Sequence, residues 1–238
     1  MPALGYARFD VLTFDCYGTL IDWEAGILAA LRAALGDAAA SLDDEDLLGR
    51  FAALEHAAQA DGARYREVLA CCLHTLADQL HTSVDDATAA TFGGSVADWP
   101  AFADSHEALV RLQTRYALAV ITNCDDDLFA ASEARLGISF DLVVTAQQVG
   151  RYKPDTKGFH VAHERIEREL SVPKARILHV AQSLFHDHVP ARALGMTSVW
   201  IDRRDGRAGG ATPSAEATPD ARFTSMRSFA DDAVRRER

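Results

Sequence analysis

Cysteine is scarce in this 238-residue chain, and the four present, Cys16, Cys71, Cys72 and Cys124, form no Cys-x-x-Cys pair and no Cys/His zinc spacing. That pattern gives no support to a structural metal. Basic residues are outnumbered: 24 Lys and Arg stand against 35 Asp and Glu, a formal charge of -11. Nucleic acids and anionic membranes are excluded as partners, because their phosphates would be repelled. The acidic balance reads as solubility, not as recognition of a cationic substrate. No apolar run approaches the ~20 residues that a membrane helix needs. The N-terminus lacks the basic and apolar regions of a secretion signal, which makes the cytoplasm the expected location. What is present is ordinary for a soluble globular protein, with 48% hydrophobic and 25% charged residues. The length permits a full core, as one large domain or a core with a smaller insert.

The apolar run Phe9-Asp10-Val11-Leu12-Thr13-Phe14 stops at Asp15 and Gly18, the pattern of a buried strand ending in a loop. Residues 23–91 follow, rich in Ala and Leu. Ile27, Leu28, Leu31 and Leu35 make one helical stripe, and Leu47, Leu48, Phe51 and Leu54 begin another, without strand-like alternation. This stretch reads as a separate helical unit. Its acidic run Asp43-Asp44-Glu45-Asp46 suits a first helical turn. Cys71 and Cys72 are read as small core residues. Trp23 and Trp99 stand at the two junctions as hinge packing, Trp23 also as a pocket wall. Beyond Pro100, the helix-like residues 105–115 lead to Leu118-Ala119-Val120-Ile121. Further apolar runs at 140–144, 176–181 and 197–201 are separated by helix-like segments, and a Gly/Ala/Pro-rich loop occupies 205–219. Buried strands alternating with helices argue for an α/β fold built on a parallel sheet.

Ligands of such sheets sit at the carboxyl ends of the strands. Asp15, Thr122, Lys153 and Asp187 each fall just beyond an apolar run, so one fold brings them together. A carboxylate in the place of Asp15 serves as a nucleophile, a metal ligand or a loop cap, and Gly18 lets the backbone turn and present its N–H groups. Thr122 and Asn123 offer a hydroxyl and an amide to a small polar ligand. In Arg151-Tyr152-Lys153-Pro154-Asp155, the proline holds the preceding residue extended and can open the next helix. A lysine beside a buried aspartate lowers its pKa and keeps it ionised, while Asp187 is placed to orient that lysine or a water. Cys16 and Cys124 flank these motifs and are expected to line or back the site. No histidine adjoins either in sequence to make a cysteine nucleophile. Asp125-Asp126-Asp127 reads as another charged first turn. His179 is expected in a core or supporting role. His186-Asp187-His188 is not expected to bind a metal, since neighbouring side chains at a helix start diverge.

These four motifs, in this order and over nearly the whole chain, resemble those of the haloacid dehalogenase superfamily. Its phosphatases carry Asp-x-Asp at the first motif, whereas Asp15-Cys16-Tyr17-Gly18-Thr19-Leu20 is similar to the Asp-x-Tyr-Gly-Thr-Leu of the L-2-haloacid dehalogenases. Val199-Trp200-Ile201-Asp202-Arg203 resembles their ending, and Arg50 matches the substrate-facing arginine of their helical cap. The resemblance implies a Rossmann-like parallel-sheet core from residues 1–20 and 99–238, a helical cap from 21–98, and suggests a homodimer. It implies catalytic roles for Asp15, Thr19, Lys153 and Asp187, and substrate contacts from Cys16, Tyr17, Arg50, Thr122, Asn123, Gln182 and Ser183, without metal or cofactor. The implied substrate is a short 2-haloalkanoic acid. Asp15 displaces the halide in line to form an ester, and water then attacks the carboxyl carbon of that ester, releasing a 2-hydroxy acid with inversion. Lys153 stabilises the oxyanion, and Arg50 attracts the substrate carboxylate or the halide.

The chemistry agrees with this subdivision. A phosphatase protonates an alkoxide and holds magnesium against the phosphoryl charge. The side chain of Tyr17 does neither, and Ser183 stands near the first of the phosphatases' paired aspartates. Two positions depart from the dehalogenase pattern. Gln182-Ser183-Leu184 replaces Ser-Ser-Asn, which leaves Gln182, Ser183 or His186 to handle the hydrolytic water. Phe159 stands where a tyrosine six residues after the lysine is usual, removing a hydrogen bond to the Asp/Lys pair. The competing readings are a hydrolase of another small activated acid, including ring C–N opening, a magnesium-dependent phosphatase, and a non-catalytic interaction protein.

Overall fold

The computed structural model describes residues 4–59, 62–207 and 211–235. Its centre is a six-stranded sheet of β1 (Val11–Phe14), β2 (Ala117–Thr122), β3 (Leu142–Thr145), β4 (Ile177–Ala181), β5 (Thr197–Ile201) and β6 (Ala221–Phe223). The order is β3-β2-β1-β4-β5-β6 and every pairing is parallel. All four residues of β1 are buried because helices cover both faces, which is why its sequence runs apolar instead of alternating. The strand order reverses at β1, with β2 on one side and β4 on the other. A crevice opens beyond the carboxyl end of a strand at such a switch point, and Asp15 is the residue that follows β1.

Between β1 and β2 the chain is helical. It forms α1 (Trp23–Leu35), α2 (Asp37–Ala40), α3 (Asp44–Ala58), α4 (Tyr65–Gln79) and α5 (Asp86–Gly94), and α6 (Ser105–Leu112) then leads back to the sheet. Ile27, Leu31 and Leu35 bury one face of α1, and Leu47, Leu48 and Phe51 one face of α3, as the stripes predict. Asp22, Asp43 and Asp85 cap α1, α3 and α5 by accepting backbone N–H bonds. The apolar core of one sheet face runs unbroken into these helices. Gly26 is required there: a Cβ on it would stand 2.3 Å from the Trp99 ring, so Trp99 packs directly on the α1 backbone. The two connections to the helical segment lie side by side, with Asp22 N donating to Pro100 O and Phe102 N to Leu20 O.

The rest is α7 (Asp126–Leu136), α8 (Ala146–Val149), α9 (Lys157–Leu170), a π-turn at Leu184–His188 running into α10 (Val189–Ala193), and α11 (Met226–Ala233). Neither β6 nor α11 is among the elements expected from the sequence. β6 is a three-residue edge strand with no fully buried side chain, so no apolar run announces it. Pro154 does not open α9. That helix begins three residues later with Thr156 at its N-cap, and the Lys153–Pro154 peptide is cis. Among the described residues, no helix is long and apolar enough to cross a membrane.

Candidate active site

Asp15 leaves β1 into a turn in which the Cys16 carbonyl accepts N–H bonds from Thr19, Leu20 and Ile21. Gly18 makes the turn possible. Its φ is +91°, and a Cβ there would meet Trp23 Nε1 at 3.0 Å and Gln182 Oε1 at 3.1 Å. The turn carries Thr19 back beneath Asp15, where Thr19 Oγ1 donates to Asp15 Oδ2 at 2.7 Å and accepts the Gln182 N–H at 2.9 Å. Lys153 reaches Asp15 from the far side of the crevice. Its Nζ donates to Asp15 Oδ1 (2.8 Å), Asp187 Oδ1 (2.7 Å) and the Ile121 carbonyl (2.8 Å), so all three of its N–H groups are used. The Asn123 side chain grips the Lys153 backbone, accepting its N–H at 2.7 Å and donating to its carbonyl at 3.1 Å. Behind Asp187, His179 Nε2 lies 3.1 Å from Oδ1, and His179 Nδ1 lies 2.9 Å from Thr13 Oγ1. Asp187 Oδ2 is buried and has no hydrogen-bond partner among the described residues.

The electrostatics differ from the expectation in one respect. Lys153 is shared between two carboxylates and is held charged by both, its pKa raised despite burial. Burial drives Asp15 above the usual carboxylate range, Asp187 adds to that rise, and Lys153 with Thr19 pulls only partly against it. Asp187 is the partner held firmly ionised, below the usual range, because Lys153 and His179 together outweigh its burial. Lys153 serves both carboxylates at near-equal distance, 2.8 Å to Asp15 and 2.7 Å to Asp187, while burial opposes the charge on each.

Of the residues singled out in the sequence, Asp15, Tyr17, Asn123, Lys153, Gln182, Ser183 and Asp187 line one cleft, with Trp23 as a wall. Thr19 supports Asp15 from below. Three expected contacts fall elsewhere. Arg50 is solvent-exposed: with Leu47, Leu48 and Phe51 turned inward, the helical rotation of about 100° per residue carries position 50 outward. Cys16 is fully buried with its thiol pKa pushed well up, and contributes its carbonyl to the turn instead. Thr122 Oγ1 is buried without a partner among the described residues, and the residue borders a separate hollow next to β3. Tyr17 offers its ring but not its hydroxyl, which lies 2.9 Å from Ser132 Oγ and donates to Cys124 Sγ at 3.3 Å.

The helical segment supplies the remaining wall with Glu55 and Gln59 from the end of α3 and Tyr65 from the start of α4. None of these was singled out in the sequence. A signal exists for Glu55: it lies four residues after Phe51 on the buried stripe, where the helical period calls for an apolar side chain. Tyr65 Oη donates to Glu55 Oε1 at 2.7 Å. The segment is fastened to the sheet beside this wall by Asp125. Asp125 occupies the N-cap position of α7 but makes no cap there. Its carboxylate instead accepts the first N–H groups of α4, from Tyr65 (2.9 Å) and Arg66 (3.2 Å). Asp127 pairs with Arg66 and Arg64. The acidic triplet does open α7, as read, with Asp126 and Asp127 in its first turn, and Asp125 and Asp127 also dock the start of α4. Tyr152 Oη adds a 2.6 Å bond to the Ala63 carbonyl. His186, also in the cleft, is within 3.1 Å of Ser183 Oγ, and burial holds it neutral down to about pH 4.

Comparison with known proteins gives a match of residues 9–183 to the haloacid dehalogenase-like hydrolases. The chain is 26% identical over 221 residues, 86% of its length and 92% of the relative's, to (S)-2-haloacid dehalogenase H-109 of Pseudomonas putida. Among solved structures it resembles the L-2-haloacid dehalogenase of Xanthobacter autotrophicus with chloropropionic acid covalently bound (18% identity, 93% and 97% of the two chains, TM-score 0.75). It resembles equally the magnesium-bound hydrolase YfnB of Bacillus subtilis (17% identity, 95% and 99%, TM-score 0.75). In the present cleft the Lys153 ammonium bridges Asp15 and Asp187, and the position two residues after Asp15 is Tyr17, whose hydroxyl is taken up by Ser132 and Cys124.

Proposed function

The chain belongs to the haloacid dehalogenase-like hydrolases, and from that premise we propose that it hydrolyses the carbon–halogen bond of a short 2-haloalkanoic acid, with Asp15 as the nucleophile and α1–α5 as a cap. The observation that carries this reading is the pairing of a buried Asp15, held by Lys153 and Thr19, with a first motif that has no second acid, the Tyr17 hydroxyl being committed to Ser132 and Cys124. Halide departs without being protonated, so such a site suits a carbon–halogen bond better than a phosphate ester. The name of the Pseudomonas relative supports the same substrate class.

In the first step a carboxylate oxygen of Asp15 attacks the halogen-bearing carbon from the side opposite the halogen, and the C–X electron pair leaves with the halide. Thr19 and Lys153 hold the carboxylate in place for this approach. In the second step water adds to the carboxyl carbon of the ester, Lys153 stabilises the oxyanion, and the 2-hydroxy acid departs with its configuration inverted. Leu184 cannot bind the water. Gln182 and the Ser183–His186 pair line the cleft and are the polar groups left to orient it.

The test is halide release from 2-bromo-, 2-chloro- and 2-fluoropropionate, each with and without a chelator. Release that ignores the chelator, alongside an equal amount of 2-hydroxy acid, is expected. No halide from any of the three, together with magnesium-dependent hydrolysis of a phosphate ester, overturns the proposal.

A further inference from the structure

The cleft poses a problem that Lys153 does not solve. Among the described residues lining it, Lys153 is the one cation, and its three N–H groups are taken by Asp15, Asp187 and the Ile121 carbonyl. Arg50 is on the outer surface of α3, and His186 is neutral near pH 7. A halide expelled from the carbon in front of Asp15 moves away from the strand ends, since in-line displacement sends it opposite the nucleophile. The wall contributed by α3 and α4 holds Glu55, Gln59 and Tyr65, and the Tyr65 hydroxyl is already donated to Glu55 Oε1.

We propose that Glu55, as a carboxylic acid, is the group that receives the departing halide, donating an O–H hydrogen bond to it where no cation is available. The proton stays on Glu55. The C–X pair leaves with the halogen, and the halide exchanges its bond to carbon for a hydrogen bond to the carboxyl group. Glu55 is a catalytic residue in this scheme, and Tyr65, which fixes its orientation by one oxygen, is a positioning residue. The second clamp is Asp125, which holds the first turn of α4 and so sets where Tyr65 stands.

The protonation this requires is consistent with the surroundings. Burial pushes Glu55 up to about 7, with the Tyr65 hydrogen bond acting weakly the other way. Tyr65 and Cys72 face it from α4 and Tyr152 from the stretch before α9, and burial pushes all three upward, Cys72 to about 12. Across the cleft stand Asp15, Asp187 and Lys153, bound to one another, Tyr17, raised far out of range by burial, and His186, lowered to about 4. Glu55 is therefore a group of the cleft wall whose charge changes near pH 7. The acid form is present below its pKa and lost above it, so turnover falls as the pH rises through about 7.

This inference rests on the carbon–halogen reading, and the experiment separates the two. Halide release is measured from 2-bromo-, 2-chloro- and 2-fluoropropionate across pH 5–9 with the full chain, Glu55→Gln and Glu55→Ala. Fluoride is the strongest hydrogen-bond acceptor of the three and the poorest leaving group, so the loss should be graded. For Glu55→Ala it should be roughly a hundredfold with fluoride, about tenfold with chloride and a few-fold with bromide, within the span of a single proton donor. Glu55→Gln keeps a neutral donor, so it should retain most of the chloride and bromide activity and lose the fall above pH 7. A loss of equal factor on all three halogens, or a basic limb that survives in a folded Glu55→Gln, overturns the role of Glu55 and leaves the carbon–halogen reading standing. No halide from the unsubstituted chain overturns both.

Discussion

The two walls of the cleft are built on opposite principles. The sheet side is a saturated ionic network: Thr13, His179, Asp187, Lys153, Asp15 and Thr19 are joined in series, and each but the last oxygen of Asp187 has its partner inside the protein. The helical side is sparse, with one carboxyl, one amide and one phenol; its back is continuous with the apolar core, and Asp125, Asp127 and Tyr152 clasp its cleft end. A network whose members fix one another is rigid and costly to alter. A wall held by a few clasps can be changed in chemistry without upsetting the fold. Under the proposed mechanism the nucleophile stands in the first and the group that meets the departing halide in the second.

That contrast can be broken experimentally, starting where the effect is greatest. Asp15→Asn should abolish turnover, by about 10⁴-fold or more, because the amide is no nucleophile; activity that persists in product assays would refute the assignment. Lys153→Met leaves Asp15 and Asp187 as two buried carboxylates without a cation. Besides ending turnover, it should lower stability in urea unfolding by about 3–5 kcal/mol. The pH profile is the next measure. Asp15 must be ionised to attack and its pKa is raised, so kcat/KM should fall tenfold per pH unit on an acid limb that lies above the usual carboxylate range. Asp125→Ala removes the acceptor for two α4 N–H groups. A cost of about 1–2 kcal/mol, faster amide exchange at residues 65–66 and a raised KM are expected, and unchanged exchange would show that the clasp is idle. Smallest is Arg50→Ala, which should leave kcat and KM within about twofold, since an exposed side chain away from the cleft is usually neutral.

The sheet side was legible in the sequence and the helical side was not, for a physical reason. Each buried strand ends where its apolar run ends, and a parallel sheet gathers those ends, so Asp15, Lys153 and Asp187 follow from local pattern plus one topological rule. On a helix, whether a residue faces the cleft depends on rotation about the axis, which is set by tertiary packing. Arg50 and Glu55 lie on the same helix five residues apart, and motif similarity selected the one that faces solvent. The inward stripe of Leu47, Leu48 and Phe51 already contained the phase information, and extending it by four residues reaches Glu55. Asp125 was beyond reach for another reason: its partner lies 60 residues away, and nothing local distinguishes a carboxylate that caps its own helix from one that caps a stranger's.

The lysine between two carboxylates has a consequence in charge balance. With Asp15 free, the buried trio carries one uncompensated negative charge. In the proposed ester that charge leaves with the halide, Lys153 and Asp187 remain as a neutral pair, and the negative charge still in the cleft is the carboxylate of the substrate itself. Forming that ester would relieve the buried trio of its excess charge, so mixing enzyme with substrate on the millisecond scale should give a burst of halide ahead of the hydroxy acid.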